Sequence, residues 1–289
     1  MTNPADIIVQ GILLGGLYAL FATGLSLVFG VMRLVNLAHG DFIVVAAFAA
    51  FSVVSAVPIH PFVAIAAVAP LMAGLGYLLQ LGLFNRLLGN DPLRPLLVTF
   101  GVSVVVQNAL LMIFSADTRR LSAGSIETQS INVGAASVGV YPVVVLSTAL
   151  AVTMALQWIF YSTALGQRLR ATSDDSEIVG LVGINHLRVF AIGSAIAFAV
   201  IGVAGVLMAV RGNFDPFMGP ARLLVAFEAV IIGGLGNFWG TLAGGLVIGL
   251  AQSIGAAVDP AYQTIAGHIV FFAVLLLRPN GLFPKVAHQ

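Results

Sequence analysis

Apolar runs of roughly 20 residues recur from one end of this chain to the other, and such runs leave it only one kind of solvent. Of 289 residues, 60% are hydrophobic and 8% charged, and the mean hydropathy is +1.07. A soluble domain carries roughly 25% charged residues. This chain cannot cover itself with a water-compatible surface, so lipid must solvate it. In lipid every backbone N–H and C=O needs an internal partner, which leaves helices or a closed barrel. The runs do not alternate with period two, and they exceed the strands of about 10 residues that a barrel uses. The sequence therefore predicts an all-α polytopic membrane protein.

The predicted runs are Ile7–Gly30, Phe42–Val57, Phe62–Phe84, Leu96–Phe114, Tyr141–Tyr161, Val189–Val210, Leu223–Leu235, Thr241–Ala257 and Ile265–Leu277. With 13 residues, Leu223–Leu235 is too short to cross alone. About eight or nine transmembrane segments are expected, some of them discontinuous. The link 115–140 is polar and rich in Gly and Ser, and part of it is expected to pair as short strands. No basic residue precedes the first run, which reads as a retained span rather than a cleaved signal peptide. The links 85–95 and 162–188 and the tail from Arg278 carry Arg or Lys, which favours a topology with all three in the cytoplasm. Two crossings are then needed between 96 and 161, and an even number between 188 and 278. Arg119, Arg120, Arg211 and Arg222 fall outside, against the same bias.

Several chemistries are excluded. There is no cysteine, hence no disulfide and no thiolate metal site. A net charge of +1 makes nucleic acid an unexpected partner. Lys285 is the only lysine and no Gly-Lys-Ser/Thr occurs, so the chain is not itself a P-loop ATPase. Active transport would draw on an ion gradient or on a partner. No His, Asp or Glu cluster has metal spacing and no serine-centred nucleophile motif appears, so the chain does not read as an enzyme.

Polar residues inside the apolar runs are the candidate path. NLAHGDF (Asn36–Phe42) and GLGNFWG (Gly234–Gly240) each interrupt greasy helix with Gly, Asn and an aromatic. Breaks in corresponding halves of a transporter mark the path, because freed backbone groups there need water or substrate; ordinary short loops look the same. The candidates are Asn36, His39, Asp41, Gly234, Gly236 and Asn237. Asp41 also stands where an N-cap of the next helix is expected. Glu228 lies mid-run, where a charge costs at least ~2.5 kcal/mol. It either lines a path or is paired with an arginine or set near a water-filled mouth. His268 reads as a hydrogen-bonded structural residue, and Gln107 and Asn108 as interhelical bonds. Gly11/Gly15, Gly236/Gly240/Gly244 and Gly245/Gly249 repeat every four residues, which predicts closely packed helices.

Between two full-length runs, Gly166–Asn185 turns polar: it holds Arg168, Arg170, Asp174, Asp175 and Glu177, five of the chain's 23 Lys, Arg, Asp and Glu residues. As a single helix it would gather Leu169, Ile178, Leu181 and Val182 on one apolar side.

Four stretches in order resemble the branched-chain amino-acid ABC transporter permeases of the LivH type. NLAHGDF is similar to their N-terminal signature, and Tyr161–Asn185 to the loop they present to ATPases. FEAVIIGGLGNFWGTLAGGLVIG (Phe227–Gly249) is similar to their late Gly-rich segment, and RPNGLF (Arg278–Phe283) to their ending. The resemblance implies a single permease domain over 1–289 in a bacterial cytoplasmic (inner) membrane, with 162–188 as its cytoplasmic coupling segment. It implies that Gly166, Arg170, Ala171, Asp175, Gly183 and Ile184 dock on an ATPase. It implies as partners a second permease, two ATPases that hold the ATP, and an external substrate-binding protein. The implied cargo is leucine, isoleucine or valine; relatives carry other amino acids, urea or short amides. An ion-coupled carrier using Glu228 and His268 is the alternative from the residues alone.

Overall fold

The computed structural model describes residues 4–32, 34–88, 91, 93–133 and 136–283; Arg33 and Lys285 lie outside these. The predicted runs become helices α1 (Pro4–Met32), α2 (His39–Ala56), α3 (Pro61–Gly82), α4 (Leu93–Phe114), α5 (Val140–Ser162), α8 (His186–Arg211), α9 (Gly219–Gly233), α10 (Phe238–Val258) and α11 (Tyr262–Leu277). The polar link between α5 and α8 forms α6 (Ala164–Asp174) and α7 (Ser176–Leu181). Among the described residues, seven helices are long and apolar enough to cross a membrane: α1–α5, α8 and α10. The 15 residues of α9 and 16 of α11 span about 22–24 Å, short of a hydrocarbon core of about 30 Å. The link 115–140 does contain a hairpin, β1 (Ser130–Val133) antiparallel to β2 (Ala136–Gly139), in the register Ser130–Gly139. Asp6 accepts the Ser137 N–H at 2.9 Å, which fixes the hairpin to the start of α1.

Helices α1 and α8 form the centre. In their most apolar 18-residue windows, 89% and 72% of residues are buried, against 17–28% in α3, α4 and α5. A helix buried on all sides needs no polar face, which is why α1 and α8 show no amphipathic pattern. The outer helices face lipid or partners with side chains such as Leu78, Leu97, Met112 and Trp158.

The helices follow an inverted two-fold arrangement. The most extensive pairs are α1 with α10 and α3 with α8. Both run antiparallel: Gly11 meets Leu250 and Gly30 meets Gly236, while Gly202 meets Ala69 and Gly76 meets Phe198. The pairs α1–α9 and α2–α8 match in the same way. So α1, α2 and α3 correspond to α8, α9 and α10 with the chain direction reversed across the bundle. Each long central helix ends, the chain turns back inward, and a shorter helix restarts partway along it. His39, at the start of α2, lies beside Gly24 near the middle of α1. At the start of α9, Gly219 lies against Gly40. A Cβ on Gly40 would come 2.0 Å from the Gly219 carbonyl, and one on Gly219 would come 2.8 Å from the Asp41 Cα. The two re-entrant starts thus meet back to back in the interior.

This corrects the expected pairing of breaks. The counterpart of NLAHGDF is the segment 212–219, not GLGNFWG. GLGNFWG turns at the α6–α7 end of the bundle, where Gly234 (φ 95°) and Gly236 (φ 76°) reverse the chain between α9 and α10. Its counterpart is the VPIHP turn between α2 and α3, at the hairpin end.

The Arg-bearing links collect at one end. Asn85 donates to the Leu187 carbonyl, Ser173 to that of Gly30, and the Leu282 N–H to that of Ile232. The start of link 85–95, the segment 162–188 and the start of the tail therefore share the α6–α7 end. Four helices, α8–α11, separate the last two, as the even count required. Arg119, bridged to Phe214, lies at the hairpin end.

Candidate functional site

The predicted coupling segment is two helices rather than one. Thr163 caps α6 by accepting the Gly166 N–H at 3.2 Å. Gly166 is pressed on the end of α5: a Cβ there would lie 2.2 Å from the Ile159 carbonyl and 2.3 Å from that of Phe160. Asp175 adopts extended backbone (φ −150°) and ends α6, and its carboxylate caps α7 at the Ile178 N–H. Gly183 (φ 81°) ends α7 in the left-handed region that favours glycine. Asn185 caps α8 at the Arg188 N–H.

Leu169 is fully buried and meets Gly193 of α8. Ser173 donates to the Gly30 carbonyl at 2.8 Å, close to the end of α1. The segment is thus braced on both central helices. The single apolar side expected for Leu169, Ile178, Leu181 and Val182 does not form, because the break at Asp175 turns α7 away. Ile178, Leu181 and Val182 are exposed, by 59%, 87% and 72%. Exposed aliphatic residues clustered on a polar link mark an interaction surface. Ala171, Asp175 and Gly183 are also exposed, Arg170 and Ile184 are partly buried, and Gly166 is inside. The Arg170 guanidinium stacks over the Tyr161 ring at 5.0 Å.

The path candidates separate into three places. Asn36, His39 and Asp41 sit together at the re-entrant start of α2, all 1% exposed or less. Asn36 Oδ1 accepts the Ala38 N–H, closing the turn. His39 Nε2 donates to the Phe21 carbonyl of α1 at 2.8 Å, and Nδ1 has no partner. Asp41 is not the N-cap: that position is Ala38, and Asp41 lies in the first turn. Its Oδ1 accepts from Gln107 Nε2 at 3.0 Å, and the carboxylate lies against Gly219, so it faces the starts of both α2 and α9. A carboxylate there offsets the positive ends of two helix dipoles. Gln107 makes the expected interhelical bond, whereas Asn108 bonds back to Val104 of its own helix.

Glu228 forms the second place. Its partner is His268 of α11, through Oε1 and Nδ1, rather than an arginine; Oε2 is buried without a partner. The third is the turn at Gly234, Gly236 and Asn237, where Asn237 caps α10 by accepting the Gly240 N–H and donates to the Phe283 carbonyl. That turn closes the α6–α7 end of the bundle.

Sequence reading missed the polar pairs that join helices far apart in the chain. Tyr18 donates to Gln252 at 2.6 Å, Thr241 to Ser26 at 2.9 Å and Ser194 to Gln80 at 2.6 Å. Each is an isolated polar residue in an apolar run, which signals a partner without naming it.

A family model described as the permease component of the branched-chain amino acid transport system matches residues 7–278. The chain is 28% identical to the high-affinity branched-chain amino acid transport system permease protein BraD of Pseudomonas aeruginosa, over 96% of this chain and 95% of that protein. It is 27% identical to the corresponding LivH protein of Escherichia coli K12, over 96% of this chain and 94% of that one. No solved structure matches the chain.

Proposed function

Because the chain belongs to the family of branched-chain amino acid transport permease components, we propose that it is the membrane subunit of an ATP-driven importer for leucine, isoleucine and valine. It pairs with a second permease in a cytoplasmic (inner) membrane. Two ATPases dock at the α6–α7 end, and a substrate-binding protein delivers cargo at the hairpin end. ATP is bound and hydrolysed by the ATPases.

The observation that carries this reading is the exposed Ile178–Leu181–Val182 patch on a segment braced against both central helices. An ATPase that grips the patch loads α1 through Ser173 and α8 through Leu169. Each of these helices carries one re-entrant half-helix, so a single push moves both halves of the inverted arrangement. Family membership and this bracing favour ATPase drive over an ion-coupled carrier built on Glu228 and His268.

The test is ATP-dependent leucine uptake by the complete complex carrying Leu181→Asp and Val182→Asp. Replacing buried interface anchors costs about 2 kcal/mol or more, a factor of about 30 in affinity. ATPase co-purification and uptake should fall together, with the permease still inserted in the membrane. Unchanged uptake would overturn the docking assignment.

A further inference from the structure

Near the hairpin end, α1, the end of α8 and the start of α9 line a half-open pocket of about 220 Å³. Tyr18, Arg211, Asn213, Arg222 and Gln263 line it with polar groups, above the aliphatic Leu17. Two arginines at this end oppose the usual distribution of positive charge, which concentrates Arg and Lys at the cytoplasmic ends of spans. Neither belongs to any ion pair among the described residues. Both arginines line the same pocket, so their positive charges add there. Arg222 stands in the first turn of α9, where the helix dipole adds further positive potential. Its Nε is buried with no partner.

The neighbouring acids do not neutralise this charge. Asp215 forms no ion pair among the described residues, and one of its oxygens accepts the Phe217 N–H. Glu228, further along α9, is held by His268. Guanidinium groups that face a small cavity without a carboxylate are complementary to a carboxylate brought by a ligand, which they bind through charge-assisted and often bidentate hydrogen bonds. The Tyr18 hydroxyl donates to Gln252, which leaves its oxygen with acceptor capacity suited to an ammonium group. Pockets for drug-sized ligands run to about 300–1,000 Å³. A volume of about 220 Å³ is of the scale of a single amino acid.

We propose that this cavity is an entry subsite that holds the carboxylate of an incoming amino acid between Arg211 and Arg222, so that the permease itself selects carboxylate-bearing solutes over urea and neutral amides. The inference rests on the import reading above, because the hairpin end must face the source of cargo.

The test is ligand-observed NMR on the complete permease–ATPase complex in nanodiscs, with no binding protein, using leucine and leucinamide as probes. These differ only in the carboxylate. The complex should bind leucine at least about tenfold more tightly than leucinamide. Arg211→Gln and Arg222→Gln should each weaken leucine about tenfold and leave leucinamide unchanged, and Arg222→Lys should keep part of the preference. Arg211 is exposed and its variant is not expected to disturb packing, so it remains informative if Arg222→Gln fails to assemble. Equal binding of the two probes, or unchanged leucine binding by Arg211→Gln, overturns the subsite. ATP-driven leucine uptake by the same wild-type complex, with its binding protein added, tests the importer separately: uptake without probe preference sinks only the subsite, and no uptake sinks the importer.

Discussion

Glu228 and His268 show what one residue can and cannot reveal. Each is an anomaly in an apolar run, and each was identifiable as such from its neighbours. Their partnership was not, because 40 residues separate them and only the packing of α9 and α11 beside α10 brings them together. Glu228 is 2% exposed, so its carboxylate depends on the imidazole for its one protein contact at Oε1. Removing one partner of a buried pair leaves an uncompensated polar group, at about 3–5 kcal/mol, whereas neutralising both costs far less. His268→Ala should therefore lower thermal stability sharply, and Glu228→Gln added to it should recover much of the loss. A double-mutant cycle followed by thermal unfolding in detergent measures the coupling. Additive effects would show that the contact contributes nothing to stability.

At the scale of the element, glycine is the residue that decides which helices touch. In lipid no hydrophobic force drives helices together, so contact depends on close backbone approach. The four-residue glycine spacing was legible in the sequence, and the partner helix was not. Gly11 and Gly15 meet Gly249 and Leu246, so α1 and α10 close on each other through small residues from both sides. A Cβ at Gly249 would lie 2.4 Å from the Gly11 carbonyl and the Gly15 nitrogen, both backbone atoms that cannot rotate away. Gly249→Val should push α10 off α1 and abolish accumulation of folded protein. Gly74, mid-helix in α3, has nothing within 4 Å of a built Cβ. There Gly74→Ala should stabilise by about 0.5–1 kcal/mol, the propensity difference in a helix interior. Expression and thermal unfolding of the two variants should move in opposite directions. A loss at Gly74 would mean that a partner covers that face.

For the whole molecule, span positions were legible because lipid imposes a length and a composition on every crossing. The symmetry is not legible in the sequence, for a physical reason. NLAHGDF and GLGNFWG share Gly, Asn and an aromatic because both turn a chain sharply, and turn chemistry carries no record of which helix lies beside it. The true counterpart of the first break, 212–219, also carries Gly, Asn, Asp and Phe, so composition does not separate the two later breaks; only packing shows that it is 212–219 whose glycine lets α9 start against α2. Orientation follows from the same arrangement. The start of the Arg-bearing link 85–95 and the segment 162–188 lie at one end, and the hairpin and the α10–α11 turn at the other. The absence of cysteine makes this directly testable. Leu181→Cys and Ala261→Cys each place one exposed thiol, at the α6–α7 end and in the α10–α11 turn respectively. In intact spheroplasts a membrane-impermeant maleimide should label Ala261→Cys at once, and Leu181→Cys only after permeabilisation. The inverse pattern would put the Ile178–Leu181–Val182 patch outside, where no ATPase could reach it, and would overturn both the docking face and the direction of import.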